Sequence, residues 1–308
     1  MVKYDYSEIK VAYLANGLEL TLPVHKLTGG KGPTVGISAV VHGDELIGAE
    51  IVRRLLDILK KEDIKGTIKF MPVANSLAFE DVQRNTPIDR ANLNRIYPGN
   101  KNGTLTEILA YKMTKEFLEG LDVYIDLHSG GRDPIVDYVY ILNDEEMSRA
   151  FGSTVLYRPA VNYVGTTSAI TSDMGIPSVT IEVGGGPNYE SYIEKGVKGI
   201  LNILKQKKVI KGRVAPRPKQ IVVSHIENVN PHHGGLCVPC FEYDKMNKII
   251  EGKQVLARIY NPMTLELLEE IKTPYDKNLV ILMRGTLTRI HAGDYAFMIG
   301  EMSTAEVE

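Results

Sequence analysis

Two mostly apolar runs in this chain each end in residue types that bind metals. Val35 to Val41 (VGISAVV) leads directly into His42-Gly43-Asp44-Glu45, and Leu121 to Leu127 (LDVYIDL) leads into His128. Short apolar runs bounded by turn residues read as buried strands. The segment from Glu45 to Lys61 reads as a helix, because Leu46, Ala49, Val52, Leu55, Leu56 and Leu59 recur on one helical face. The alternation continues. Ile68–Val73, Val136–Leu142 and Ser178–Val183 read as strands, and Thr106–Leu118, Glu145–Phe151 and Tyr189–Lys207 as helices, with Thr104 or Thr106 as a cap for the first. Strand–helix alternation of this kind predicts an α/β domain with a parallel or mixed sheet. Ligands in such sheets gather at the carboxyl ends of the strands, which is where His42, Glu45 and His128 fall.

The remaining segments have a different texture. Asn16-Gly17 between apolar runs marks a hairpin near the start. Asn75 to Pro98 is long, polar and rich in Arg and Asn, and Pro87, Pro98 and Gly99 suggest that it is structured. From Gln220 onward the segments are short, β-rich and punctuated by turns: Ile221–Ile226, Leu236–Cys240, Gln254–Ile259, Leu265–Ile271, Leu279–Arg284 and Tyr295–Ile299. The expected organisation is a catalytic domain over 1–212 and a β-rich domain over 213–308, with the tail after Gly300 frayed.

Composition narrows the function classes. A net charge of −2 with no basic block argues against nucleic acid as a partner. No apolar run approaches the roughly 18–20 residues of a membrane helix, and the first residues show no apolar signal-peptide core. Cys237 and Cys240 are too close in sequence to imply a disulfide framework, so a cytoplasmic, reducing location is expected. A homo-oligomer is left open.

The chemistry rests on several segments together. His42, Glu45 and His128 offer two imidazoles and one carboxylate, the three-ligand set of a catalytic zinc site with a fourth position for water. Asp126, two residues before His128, is placed to orient an imidazole. Three arginines and three asparagines lie within Arg84–Arg95, where an arginine fork suits a carboxylate or a developing oxyanion and an asparagine can complete the clamp. Glu182 interrupts an apolar strand just before Gly184-Gly185-Gly186. A buried carboxylate there needs a partner or a shifted pKa, which suits a general base beside a zinc-activated water. His232, His233, Cys237 and Cys240 hold four soft donors, but their spacing matches no zinc-finger pattern. Lys277 in Asp276-Lys277-Asn278 is a nominal carrier lysine without a modification motif.

Four motifs then occur in order. His42-Gly-Asp-Glu45, Arg84 with Asn92-Leu-Asn94-Arg95-Ile-Tyr-Pro-Gly99, Asp126-Leu-His128-Ser-Gly-Gly131 and Thr180-Ile-Glu182-Val-Gly-Gly-Gly186 resemble the succinylglutamate desuccinylase/aspartoacylase family. That family is a branch of the zinc carboxypeptidase-like fold. The segments Gly252–Tyr260 and Ala292-Gly-Asp294 resemble its small all-β barrel-sandwich C-terminal domain.

The resemblance implies a mixed, mostly parallel sheet with helices on both faces and one zinc per chain, held by His42, Glu45 and His128. It further implies Glu182 as the base, Arg84 as the group that polarises the scissile carbonyl, and Asn94 and Arg95 as the grip on a substrate carboxylate. Some members carry Asp at the position of Asn92, so Asn92 receives no catalytic role. The segment between Arg84 and Asn94 is longer than in aspartoacylases proper, which argues against carrying over their specificity.

The expected activity is zinc-dependent deacylation of a small N-acylated amino acid or related amine. The rival readings are a carboxypeptidase acting on short peptides and a binding protein that keeps the fold without catalysis. The resemblance favours small substrates, because the C-terminal domain tends to cover the cleft in this family. Tyr157, Arg158 and Tyr163 are candidates for the wall that sets acyl length.

Overall fold

The computed structural model describes residues 2–187 and 189–307. Strands β1 (Lys3–Tyr13) and β2 (Glu19–Thr28) form the expected hairpin, longer than the sequence pattern suggests. They lead into β3 (Gly30–Ala39), α1 (Ile47–Leu59), β4 (Lys65–Met71), α2 (Ser76–Glu80), α3 (Leu105–Met113), β5 (Val123–His128), β6 (Pro134–Tyr140), α4 (Glu145–Ala150), β7 (Val155–Tyr157), α5 (Thr167–Asp173), β8 (Ser178–Gly185) and α6 (Tyr189–Gln206). The C-terminal part adds β9 (Ile221–Val223), β10 (Ile226–Val229), β11 (Gly235–Pro239), β12 (Ile249–Glu251), β13 (Val255–Tyr260), β14 (Leu267–Lys272), β15 (Lys277–Arg284), β16 (Thr288–Ile290), β17 (Phe297–Glu301) and β18 (Glu306–Val307).

The centre of the large sheet runs β4-β3-β5-β8, all parallel, and antiparallel pairs flank it: β1-β2 on one side, β6 on the other. Strand alternation sends successive side chains to opposite faces. On β5, Val123, Ile125 and Leu127 pack with Ile51, Leu55 and Leu59 of α1 and with Ile200 and Ile203 of α6. Tyr124 faces the other way, into a second core with Met113 of α3, Phe117 and Leu22 of β2. The sheet is therefore covered on both faces, as its apolar central strands require.

The C-terminal strands do two things. β14-β13-β11-β16 form a separate four-stranded antiparallel sheet. β15, β17 and β10 instead continue the large sheet, because β15 pairs with β6. Sequence patterning recovers these strands but carries no sign of which sheet each one joins. The tail is not frayed through Val307, since Glu306 and Val307 pair with β9; Glu308 lies outside the described residues. Among the described residues, no helix is long and apolar enough to cross a membrane.

Candidate metal centre and substrate cleft

The first ligand segment is shaped by a strained turn. Val40 leaves β3 with φ 54°, a left-handed conformation that a β-branched residue avoids. Its carbonyl is held by Asn75 N–H at 3.0 Å. Gly43 then passes against α2, where a Cβ would lie 1.9 Å from the Ala78 carbonyl. Helix α1 starts at Ile47 rather than at the expected Glu45. Glu45 thus stays in the turn, with its N–H on the His42 carbonyl, and its side chain points back into the site.

Three buried side chains converge there. Glu45 Oε1 lies 2.7 Å from His42 Nδ1, and Glu45 Oε2 lies 2.8 Å from His128 Nδ1. Donor atoms of His42, Glu45 and His128 all lie within 4.8 Å of one another. The far nitrogens are also held. His128 Nε2–H donates to Asp126 Oδ2 at 3.0 Å, and His42 Nε2–H donates to Asn92 Oδ1 at 3.1 Å. Both imidazoles consequently present Nδ1 to the same point, and a carboxylate behind a ligand histidine fixes its orientation and strengthens its basicity. Two nitrogens and a carboxylate, buried and converging, fit one zinc.

Behind His128 the network is complete. Asp126 accepts from Thr167 Oγ1 at 2.5 Å and Ser38 Oγ at 3.1 Å, and Ser38 meets Tyr124 Oη at 2.6 Å. Burial alone would lower the pKa of His128, but Asp126 and Glu45 outweigh it and raise it well above the ordinary value. Burial would raise the Glu45 carboxyl, yet His42 and His128 hold it well below its usual range.

Glu182 sits beside this group. In the sheet register His128 opposes Glu182, and Glu182 opposes Tyr138 of β6. Desolvation raises the Glu182 carboxyl to about 7, against the opposing pull of His128. Among the described residues the Glu182 carboxylate has no ion pair, and it faces a cavity of about 320 Å³ that His42, Glu45 and His128 also line. The triple glycine after it takes φ values of 84°, 126° and 59°. A Cβ on Gly185 would lie 2.1 Å from the Pro134 carbonyl, so only glycine lets β8 and the 130–134 loop close around the base.

Arg84, Asn94 and Arg95 line the same cavity. Arg84 Nη1 reaches Glu45 Oε1 at 3.2 Å and His42 Nδ1 at 3.3 Å. Asn94 and Arg95 lie on a 3-10 turn, Leu93–Arg95, capped by the Asn92 side chain on Asn94 N–H at 2.9 Å. Asn94 Oδ1 accepts from Thr167 N–H at 3.0 Å, and Arg95 Nη1 donates to the Asn94 carbonyl at 2.6 Å.

Residues 31–206, more than half of the chain, match the model of the succinylglutamate desuccinylase/aspartoacylase catalytic domain. The chain belongs to that family. It is 28% identical over 300 residues to the N-alpha-acetyl-L-2,4-diaminobutyric acid deacetylase of Halomonas elongata, covering 91% of this chain and 86% of the relative. The product-bound ectoine utilization protein EutE (DoeB) of Ruegeria pomeroyi superposes with a TM-score of 0.84 at 25% identity, over 97% of this chain and 95% of that one. A succinylglutamate desuccinylase from Silicibacter sp. TM1040 has the same fold, with a TM-score of 0.84 at 23% identity over 100% and 95% of the two chains.

Within this family frame the structure brings together every residue that the motifs singled out: His42, Glu45, Arg84, Asn94, Arg95, His128 and Glu182. It adds Asn92, which holds His42 although the motif gave it no role, and Thr167, on a helix that the sequence pattern did not reveal. Of the candidate wall residues, Tyr163 lines the cavity, Tyr157 packs behind Tyr140 with ring centroids 5.4 Å apart, and Arg158 turns away to Glu145 and Glu306.

The soft donors downstream are occupied differently. The backbone N–H groups of His232 and His233 donate to Glu269, which the His233 imidazole also meets at 3.3 Å, while Cys237 is buried in the small-sheet core and Cys240 is exposed. Among the described residues only His42, Glu45 and His128 form a metal-type cluster. Lys277 is the first residue of β15, in register with Glu251.

Proposed function

We propose that this protein is a zinc-dependent deacylase that hydrolyses the amide bond of a small N-acylated amino acid. The observation that carries the reading is the adjacency of a desolvated Glu182, without an ion pair among the described residues, to the His42–Glu45–His128 trio. Membership of a family whose matched relatives include a diaminobutyric acid deacetylase supports the same reaction class.

Zinc, when bound by His42, Glu45 and His128, supplies a Lewis acid that makes water acidic near neutral pH. Glu182, with a carboxyl near 7, takes the proton from the attacking water and hands it to the departing nitrogen. Arg84, at the mouth of the ligand group, holds the carbonyl oxygen as negative charge develops on it. Asn94 and Arg95 hold the substrate carboxylate and so fix the amide over Glu182. Asp126 and Asn92 keep both imidazoles aimed at the same point throughout.

A deacylation screen of the zinc-loaded protein across acetyl, succinyl and aspartate-derived amides, with dipeptides as competitors, tests the reading. Amide hydrolysis of an N-acyl amino acid with little dipeptide cleavage is expected. Dominant dipeptide cleavage would make the enzyme a carboxypeptidase.

A further inference from the structure

The two imidazoles are joined by a second route that bypasses Glu45. His42 Nε2–H donates to Asn92 Oδ1 at 3.1 Å, and the same oxygen accepts Asn94 N–H at 2.9 Å. Asn94 Oδ1 accepts Thr167 N–H at 3.0 Å. Thr167 Oγ1–H donates to Asp126 Oδ2 at 2.5 Å, and that oxygen also accepts His128 Nε2–H at 3.0 Å. His42, Asn92, Asn94, Thr167, Asp126 and His128 thus form one continuous arc of hydrogen bonds. Its ends are the imidazoles. Its middle is Asn94, which lines the cleft.

Thr167 holds the arc with two different atoms. It is the first residue of α5, fully buried and outside the cavity lining. Its backbone N–H occupies Asn94 Oδ1, which leaves the Nδ2 donors for a carboxylate. Arg95 follows Asn94, because its Nη1 donates to the Asn94 carbonyl at 2.6 Å. The Thr167 hydroxyl holds Asp126, and Asp126 holds His128. One residue that touches neither a metal ligand nor the cleft therefore connects both.

The bonds to Glu45 use the Nδ1 atoms that face the ligand point, whereas the arc uses only the outer Nε2 atoms. Metal binding leaves the arc intact and fixes both of its ends. Fixing the ends of a buried, hydrogen-bonded chain removes freedom from its middle. We propose that Thr167 is a positioning residue that couples the metal ligands to the carboxylate grip, so that metal binding orders Asn94 and Arg95. This rests on the zinc and grip assignments above. By linkage, a carboxylate that prefers the ordered grip tightens the metal by the same factor.

The test follows hydrogen exchange of the full-length protein, with and without saturating zinc, by mass spectrometry. In wild type, zinc is expected to slow exchange in the segment 92–97 about tenfold. Thr167→Ser keeps the hydroxyl and should keep this response. Thr167→Val keeps the backbone N–H and loses the hydroxyl. Its response at 92–97 should fall to about threefold or less, carried by Asn92 alone, while protection at 42–45 is retained. Exchange in β1 and β2 controls for general loosening. With one zinc bound, an unchanged segment 92–97 in wild type would overturn the coupling and leave the metal site standing. Equal responses in the Val and Ser proteins would remove Thr167 from it. Failure of wild type to bind zinc would overturn the metal reading, and the coupling with it.

Discussion

His128 and Glu182 are register partners on adjacent parallel strands. Their backbones are set one strand spacing apart, about 4.8 Å, by the sheet's own hydrogen bonds. Ligand and base therefore share one face without relying on a loop. The Glu182→Gln protein is expected to fold, to bind one zinc and to lose about 10²–10⁴-fold in kcat. Metal analysis and steady-state kinetics check this, and near-normal turnover would remove Glu182 from the proton transfer.

The same residue links pH to stability in the metal-free protein. Burial holds the folded Glu182 carboxyl at about 7, above its ordinary value of 4.5. Its stabilising contribution is fully present below the unfolded value and is lost as pH rises through about 7. Chemical unfolding at several pH values is expected to show wild type losing ground to Glu182→Gln across that window. Parallel curves for the two proteins would contradict the desolvated carboxylate.

Asp126 has no route to the substrate, since it is fully buried behind His128. Asp126→Asn is expected to weaken zinc binding about 10–100-fold, read by competition with a chromogenic chelator. An unchanged affinity would mean that Asn94, whose Nδ2 lies 3.4 Å from His128 Nε2, suffices to hold the imidazole.

Arg95 is exposed at the cleft, tied only to the Asn94 carbonyl among the described residues. Arg95→Ala is expected to raise KM for carboxylated substrates with kcat largely kept. A loss confined to kcat would assign the residue to the chemical step instead.

Gly185 combines φ 126° with a backbone carbonyl where a Cβ would stand. Gly185→Ala is expected to destabilise the protein by at least about 1–3 kcal/mol, measured by thermal unfolding. A wild-type melting temperature would show that the 130–134 loop can yield.

Much of this site was legible because its residues sit at the ends of strands with simple apolar patterns. Val35–Val41, Leu121–Leu127 and Ser178–Val183 announce themselves as buried strands, and each delivers its polar residue at the predictable end. Asn92 and Thr167 were not legible, because each acts through hydrogen bonds to residues far away in the chain. Helix α5 was hidden as well, since Thr167–Asp173 is short and polar and its N-cap Thr166 bonds within a segment that reads as loop.

By itself the sequence determined the α/β frame, the ligand types and the family, since periodicity and ordered motifs are local properties. Only the tertiary structure decided that Glu45 stays outside α1, that β15 joins the large sheet through β6, and that Tyr138 and Thr180 flank the base. These depend on strand register and on which neighbour each edge finds. Both are set by packing between segments far apart in the chain, which no local pattern records.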